Sequence, residues 1–166
     1  MYKHILVPVD GSSTSDLAVQ EAIKLATHQQ AQLRFVHVVE NAHVFWYDEG
    51  YVDAMILQQT ALREAGKNIL GKAEALASQA GLTSQTTLLD ANSERIARVI
   101  VEETKRWPAD VIVMGTHGRR GFDHLLFGSV AESVLRIAPI PILLIRGAKE
   151  HLITRAANME TSIERR

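Results

Sequence analysis

The chain has 166 residues, a hydrophobic fraction of 46%, a charged fraction of 22% and a formal net charge of -1 at pH 7. This length suits one α/β domain with a full core. The net charge gives no reason to expect nucleic-acid or anionic-membrane binding. Because the chain has no cysteine, disulfides, thiolate catalysis and cysteine-ligated zinc are excluded. No long apolar segment or signal-peptide pattern occurs, so we expect a cytoplasmic protein.

The first part of the chain alternates strands with a helix. Residues 5–9 form a continuous apolar run, which is typical of a strand covered on both faces. A turn of helix-capping residues follows, and residues 15–28 carry a helical apolar face. Residues 33–39 are rich in β-branched side chains and predict a second strand.

Aromatic side chains gather in the segment 40–51, which has no clear period and predicts a loop. They are Phe45, Trp46, Tyr47 and Tyr51. Two roles are open for them: packing at an edge of the core, which we favour, or closing over a bound base.

The middle of the chain predicts a long helix at 53–80 and a third strand at 83–89. Gly66 and Gly71 lie within the helix and weaken the expectation that it is unbroken, because glycine is a poor helix former.

The last part of the chain begins with a helix that Asn92 or Ser93 is expected to cap and that ends before Pro108. The remaining elements are a fourth strand at 111–114, a helix at 129–137 and a fifth strand at Ile142–Ile145.

A glycine-rich segment joins the fourth strand to the last helix. It contains Gly115, Gly118 and Gly128, followed by Ser129. Backbone N–H groups of such a loop converge on an anion, and a helix N-terminus adds partial positive charge. Ser129 is expected to cap the helix and to donate its hydroxyl to a phosphate. Glycines that only turn the chain are the alternative, but the strand before and the helix after favour a phosphate-binding loop.

Strands that alternate with helices predict a doubly wound α/β fold, with a parallel sheet and helices on both faces. Ligands of such folds bind at the carboxyl ends of the strands, where the strand order reverses. Asp10 follows the first strand and Gly115 follows the fourth, so we expect them to be neighbours. The sequence therefore predicts a carboxylate beside the glycine-rich loop.

Other signatures of catalysis or metal binding are weaker. The chain has neither the lysine-containing P-loop motif nor the Gly-x-Ser-x-Gly nucleophile motif, so no catalytic residue is assigned and efficient phosphoryl transfer is not predicted. His117, Asp123 and His124 are a candidate metal site, although loop histidines are more often exposed or in contact with phosphate.

Two segments resemble the universal stress protein family: Val-Pro-Val-Asp-Gly-Ser at 7–12 and Val-Met-Gly-Thr-His-Gly-Arg-Arg-Gly at 113–121. The glycines match the pattern G-x2-G-x9-G-[ST] of its nucleotide-binding branch. The resemblance covers residues 1–147 and implies a five-stranded parallel sheet of order 3-2-1-4-5. It also implies that the cofactor is ATP or AMP, with Mg²⁺.

The resemblance implies roles for individual residues. Asp10 is expected near the ribose and the metal, unless it only caps the first helix, and the backbone of Val38 is expected at the adenine edge. Arg119, favoured over Arg120, offers charge-assisted hydrogen bonds to phosphate. The residues implied at the nucleotide site are Pro8, Val9, Asp10, Val38, Met114, Gly115, His117, Gly118, Arg119, Gly128, Ser129, Val130 and Ala131.

Three functions remain open for such a protein. The leading hypothesis is a regulatory protein whose occupancy by ATP or AMP changes its conformation or partners during stress. The second is a slow enzyme that hydrolyses ATP or handles adenylate chemistry, and the third is a dimeric interaction module with a vestigial pocket. The resemblance implies a homodimer through Ile142–Ile145, whose unpaired strand edge must be covered. Neither nucleic acid nor a membrane is expected as a partner.

The segment 148–166 departs from the family pattern. It carries Leu152, Ala156, Met159 and Ile163 at the spacing of a helix face. Because so short a helix is marginal alone, we expect it either to dock on an apolar groove across the dimer or to fray.

Overall fold

The protein is described by a computed structural model over residues 1–40, 49–91, 95–118 and 127–147. Its elements are β1 (His4–Pro8), α1 (Ser13–Gln29), β2 (Gln32–Glu40), α2 (Glu49–Gln79), β3 (Ser84–Ala91), α3 (Ile96–Arg106), β4 (Val111–Gly115), α4 (Ser129–Ile137) and β5 (Ile142–Ile145). The strands pair in parallel in the order β3-β2-β1-β4-β5. The predicted doubly wound, five-stranded sheet is confirmed.

Helices cover both faces of the sheet. On the face of α1 and α2, the buried side chains include Ile5, Val7 and Phe35. On the face of α3 and α4, they include Leu6 and Val36. Neighbouring residues of a strand thus serve opposite cores, as the two-residue period requires. Burial on both faces explains why the strands read as continuous apolar runs.

The helix α2 begins earlier than the sequence predicts. It starts at Glu49, so the loop prediction is wrong for residues 49–51. A helix that is already nucleated gains a hydrogen bond with each added residue, so an irregular pattern does not stop it. The aromatic residues at 45–47 and the side chain of Tyr51 lie outside the described part of the chain, and their role stays a prediction.

The helix α2 also continues without a break through its two glycines. At Gly71 nothing lies within 4 Å of the place that a Cβ would take, so this glycine costs only helix propensity, about 1 kcal/mol relative to alanine. At Gly66 a Cβ would lie 2.6 Å from Cδ2 of His37 and 2.7 Å from Cδ1 of Leu88. Close packing against the sheet therefore accounts for Gly66.

The helix α3 begins later than predicted. It starts at Ile96, with Arg95 in the N-cap position and no side-chain capping bond. The predicted caps, Asn92 and Ser93, lie outside the described residues, and the predicted helix start is wrong. Because β3 continues to Ala91 rather than ending at 89, the connection to the helix begins further along the chain.

Within the described ranges, no helix is long and apolar enough to cross a membrane. The segment 148–166, with its apolar stripe, lies outside the described residues, so its docking stays a prediction.

Asp110 fastens the start of β1 to the turn before β4. Its Oδ2 accepts hydrogen bonds from the backbone N–H of Lys3, at 2.6 Å, and of His4, at 2.8 Å. These two N–H groups hold the pKa of Asp110 below its usual value of 3.8.

We expect Asp110→Ala to lower the free energy of unfolding by about 1 kcal/mol at neutral pH, because two N–H groups lose their acceptor. The pKa of Asp110 is lower in the folded chain than in the unfolded one. Its charge-dependent contribution is therefore complete well above pH 3.8 and is lost as the pH falls through the folded pKa. Urea unfolding of both proteins across this range measures the difference, and a difference that does not change with pH contradicts the assignment.

Candidate functional site

The carboxyl ends of β1 and β4 lie side by side in the sheet. The chain leaves them on opposite faces, because α1 covers one face and α4 the other, and such a point forms a crevice. A Cβ on Gly118 would lie 2.6 Å from Oδ2 of Asp10. The carboxylate that follows β1 thus lies against the glycine-rich loop that follows β4, as predicted.

Asp10 closes the turn between β1 and α1. Its Oδ1 accepts hydrogen bonds from the backbone N–H of Ser12, at 2.9 Å, and from Ser12 Oγ, at 2.6 Å. The side chain of Ser12 accepts from the N–H of Ser15 at 3.2 Å and caps α1. The alternative that Asp10 only caps the helix is therefore wrong. The turn holds Oδ1, and Oδ2 is the oxygen nearest to Gly118.

Thr14 joins the two loops, a role that the sequence did not predict. Its hydroxyl donates to the carbonyl of His117. A Cβ on Gly115 would lie 2.9 Å from the carbonyl carbon of Thr14, and one on Gly147 would lie 3.1 Å from its Cγ2. The start of α1 therefore packs directly against these glycines. The run of four hydroxyl residues at 12–15 is the signal in the sequence, although helix capping alone also explains it.

Backbone hydrogen bonds hold together the two ends of the loop between β4 and α4. The N–H of Thr116 donates to the carbonyl of Ile145 at 2.9 Å, and the N–H of Gly128 donates to the carbonyl of Thr116 at 2.8 Å. A Cβ on Gly128 would lie 3.7 Å from the backbone nitrogen of Gly118. The two described ends of this loop therefore lie close together, and the start of α4 lies next to Gly118.

The helix α4 begins at this crevice. Gly128 takes the N-cap position and Ser129 is the first helical residue. The predicted capping role of Ser129 is wrong, because the first helical bond runs from the N–H of Glu132 to the carbonyl of Gly128, at 3.0 Å. The N–H groups of residues 129–131 precede that bond, so the helix itself offers them no acceptor. They carry the partial positive charge of a helix start.

Val9 and Val38 border the crevice through their backbones. The ladder of β1 with β2 ends at Pro8 and Val36, and one further bond joins the N–H of Val9 to the carbonyl of Val36 at 2.8 Å. Backbone directions alternate along a strand, so Val38 points its N–H and C=O the same way as Val36. These groups of Val38 therefore face the space beyond the end of β1.

The other predicted site residues are placed as follows. Met114 is 5% exposed and belongs to the core beneath α3 and α4, and its contact with a nucleotide stays a prediction. Nδ1 of His117 lies 3.0 Å from the hydroxyl of the preceding threonine. Arg119, Asp123 and His124 lie outside the described residues. Within the described ranges, no three metal-ligating side chains form a cluster.

The fold and this site define a doubly wound α/β protein with a glycine-rich loop at the point where its strand order reverses. The model of the Universal stress protein family matches residues 1–146, and the chain belongs to this family. It is 34% identical to a universal stress protein of Methanocaldococcus jannaschii over 151 residues, which cover 90% of this chain and 85% of that protein.

Two solved structures of similar fold contain a nucleotide. One is a universal stress protein in complex with cAMP, with a TM-score of 0.64, 23% identity, and coverage of 89% of this chain and 99% of that one. The other is the universal stress protein of Archaeoglobus fulgidus in complex with dAMP, with a TM-score of 0.61, 23% identity, and coverage of 87% and 98%. At 23% identity, the similarity of this chain to these two structures shows that they share its fold.

Proposed function

We propose that this protein is a regulator that binds an adenine nucleotide, ATP or AMP, in the crevice between β1 and β4, and that acts in the cytoplasm during stress. The observation that carries the proposal is the close approach of Oδ2 of Asp10 to Gly118, beside the start of α4. The proteins of similar fold that were solved with cAMP and dAMP support an adenine nucleotide as the ligand. Residues 1–147 would form the binding domain and 148–166 an appended tail.

The geometry suggests how the nucleotide would lie. A phosphate beside Gly118 and Gly128 would meet the N–H groups at the start of α4, where a negative charge is stabilised. The carboxylate of Asp10 would then accept hydrogen bonds from ribose hydroxyls. The N–H and C=O of Val38 would then meet the edge of the base. Each of these contacts is a proposal that mutation can test.

The site also suits Mg²⁺ that arrives with ATP. Mg²⁺ is commonly held by one or two carboxylates together with phosphate oxygens and water. Asp10 supplies one carboxylate, with Oδ1 held by Ser12 and Oδ2 directed to the loop. When bound, the ion would neutralise phosphate charge.

Binding is favoured over catalysis. The described loop residues, 9–12 and 115–118, and the first turn of α4 contain no lysine, the residue that contacts the terminal phosphates in P-loop enzymes. Titration calorimetry with ATP and AMP, combined with a turnover assay, tests the proposal. We expect binding without turnover. Turnover that a loop substitution abolishes would indicate the slow enzyme instead, and absence of binding would indicate the interaction module.

We further propose a homodimer through β5. This strand lies at the edge of the sheet, where unpaired backbone groups need a partner. Leu143 is 41% exposed, and Leu135 and Ile137 of α4 are 41% and 46% exposed. A second copy that pairs its own β5 with this edge under two-fold symmetry would cover the unpaired backbone groups and shield Leu143 from water.

We expect Leu143→Lys to convert the dimer into a monomer, because it places a charge at the centre of the proposed contact. Leu143 is a better target than Ile142 or Leu144, which pack on the core of their own chain. Leu57→Lys is the matched control, since Leu57 is 73% exposed on α2. Light scattering that finds Leu143→Lys still dimeric would contradict the interface.

A further inference from the structure

His37 is a buried histidine that the proposed nucleotide contacts do not include. It precedes Val38 in β2 and is 8% exposed. Its Nδ1 lies 2.7 Å from the carbonyl oxygen of Val9. A carbonyl oxygen only accepts, so Nδ1 carries the hydrogen and donates it.

This hydrogen bond takes the place of one bond of the sheet. In a continued parallel ladder, the next bond would join the N–H of Val38 to the carbonyl of Val9. The register of β1 and β2 ends instead at Pro8 and Val36. Within the described part of the chain, the hydrogen bond that the Val9 carbonyl accepts comes from His37. The N–H of Val38 is therefore directed over the end of β1 without bonding to that strand.

We propose that His37 is a positioning residue for the base of the nucleotide: by occupying the Val9 carbonyl, its ring keeps the N–H of Val38 available to a ligand. Adenine carries ring nitrogens that accept hydrogen bonds, and a backbone N–H is a suitable donor for them. This inference rests on the proposed nucleotide binding and adds the residue that prepares its base contact.

The helix α2 holds the histidine ring in this position. A Cβ on Gly66 would lie 2.6 Å from Cδ2 and 3.3 Å from Nε2 of His37. The same Cβ would lie 2.7 Å from Cδ1 of Leu88. The ring of His37 therefore packs closely against the helix backbone at Gly66. The missing side chain of Gly66 thus leaves the space that the ring of His37 occupies.

Amide hydrogen exchange on the wild-type protein, measured by NMR with and without AMP, tests the proposal. We expect the amide of Val38 to exchange about a hundredfold faster than that of Val36 in the free protein, and to slow at least about tenfold when AMP is saturating. A Val38 amide that is as slow as Val36 in the free protein would overturn the proposal. So would a Val38 amide that AMP does not slow.

Two substitutions separate positioning from packing. His37→Leu removes the donor and frees the Val9 carbonyl for Val38. We expect it to weaken AMP binding about tenfold, the loss of one good hydrogen bond, while binding of ribose 5-phosphate, which has no base, is unchanged. His37→Asn keeps a donor near the position of Nδ1 and should retain AMP affinity. Equal losses for both compounds in His37→Leu, or an equally large loss in His37→Asn, would contradict a positioning role.

The outcomes also distinguish this inference from the proposed function. If the wild-type protein binds neither ATP nor AMP, both are wrong. If the wild-type protein binds AMP and His37→Leu binds it equally well, nucleotide binding stands and the role of His37 is wrong.

Discussion

Gly118→Val is expected to abolish ATP binding, and Gly118→Ala to weaken it about a hundredfold, or about 2.7 kcal/mol. The Cβ of either residue would lie 2.6 Å from Oδ2 of Asp10, so the carboxylate would have to leave its place against the loop. The added methyl groups of valine would also fill the space proposed for a phosphate. Because Gly118 is exposed, the fold should tolerate both substitutions. Titration calorimetry with ATP measures the effect.

Two further glycines serve as comparisons. Gly71→Ala makes the same chemical change where nothing lies within 4 Å of the new Cβ, so ATP affinity should not change. At Gly128 a Cβ would make an ordinary contact of 3.5 Å with the carbonyl of Thr116. The fold should therefore accept Gly128→Val while ATP binding is lost. Wild-type ATP affinity in Gly118→Val would remove the phosphate-binding interpretation of the loop.

Asp10→Ala is expected to weaken Mg-ATP binding at least about tenfold, because it deletes the carboxylate that faces the loop. The effect of Asp10→Ala on adenosine binding shows whether the carboxylate acts through the metal or on the ribose. If it acts through the metal, adenosine binding is weakened less than Mg-ATP binding; if it holds the ribose, both are weakened similarly. Titration calorimetry with the two ligands gives this ratio.

Asp10→Asn is the control for the turn between β1 and α1. It keeps an oxygen that accepts from Ser12, as Oδ1 does in the wild type, while an NH2 group that only donates replaces Oδ2 and the negative charge is lost. A loss of Mg-ATP affinity in Asp10→Asn would therefore report on the charged oxygen that faces the loop rather than on the turn. Wild-type affinity for both ligands in Asp10→Ala would contradict any role of Asp10 in the site.

The fold was predictable because its signals are local. Each strand of a sheet covered on both faces is a short apolar run, and each helix carries an apolar face between such runs. The start of α2 at Glu49 and of α3 at Ile96 was not predictable, because helix ends depend on neighbouring packing and on how far the preceding strand continues.

The sequence predicted residues of the candidate site only where the residue type, at its place in the chain, has few alternative roles. Gly118 and Asp10 follow strand ends, and the fold class places those ends together. The contact of Thr14 with the carbonyl of His117 joins residues 103 positions apart, and a threonine after a turn is equally typical of helix capping. His37 lies inside a strand pattern, where nothing in the sequence shows that its ring takes the next bond of the ladder.

The sequence also did not show which side chains of the edge strand β5 are exposed. The run Ile142–Ile145 is apolar throughout, like the inner strands, so the sequence does not show which side chains face a partner. The structure packs Ile142 and Leu144 on the core and leaves Leu143 exposed.

Mass spectrometry of the small molecules that co-purify with the protein tests whether the glycine-rich loop holds an adenine nucleotide. The wild-type protein and Gly118→Val would be expressed, purified and denatured in parallel, so that only the loop differs. We expect ATP or AMP in the wild-type sample and neither in the Gly118→Val sample. No adenine nucleotide in the wild-type sample, or equal amounts in both, would contradict this expectation.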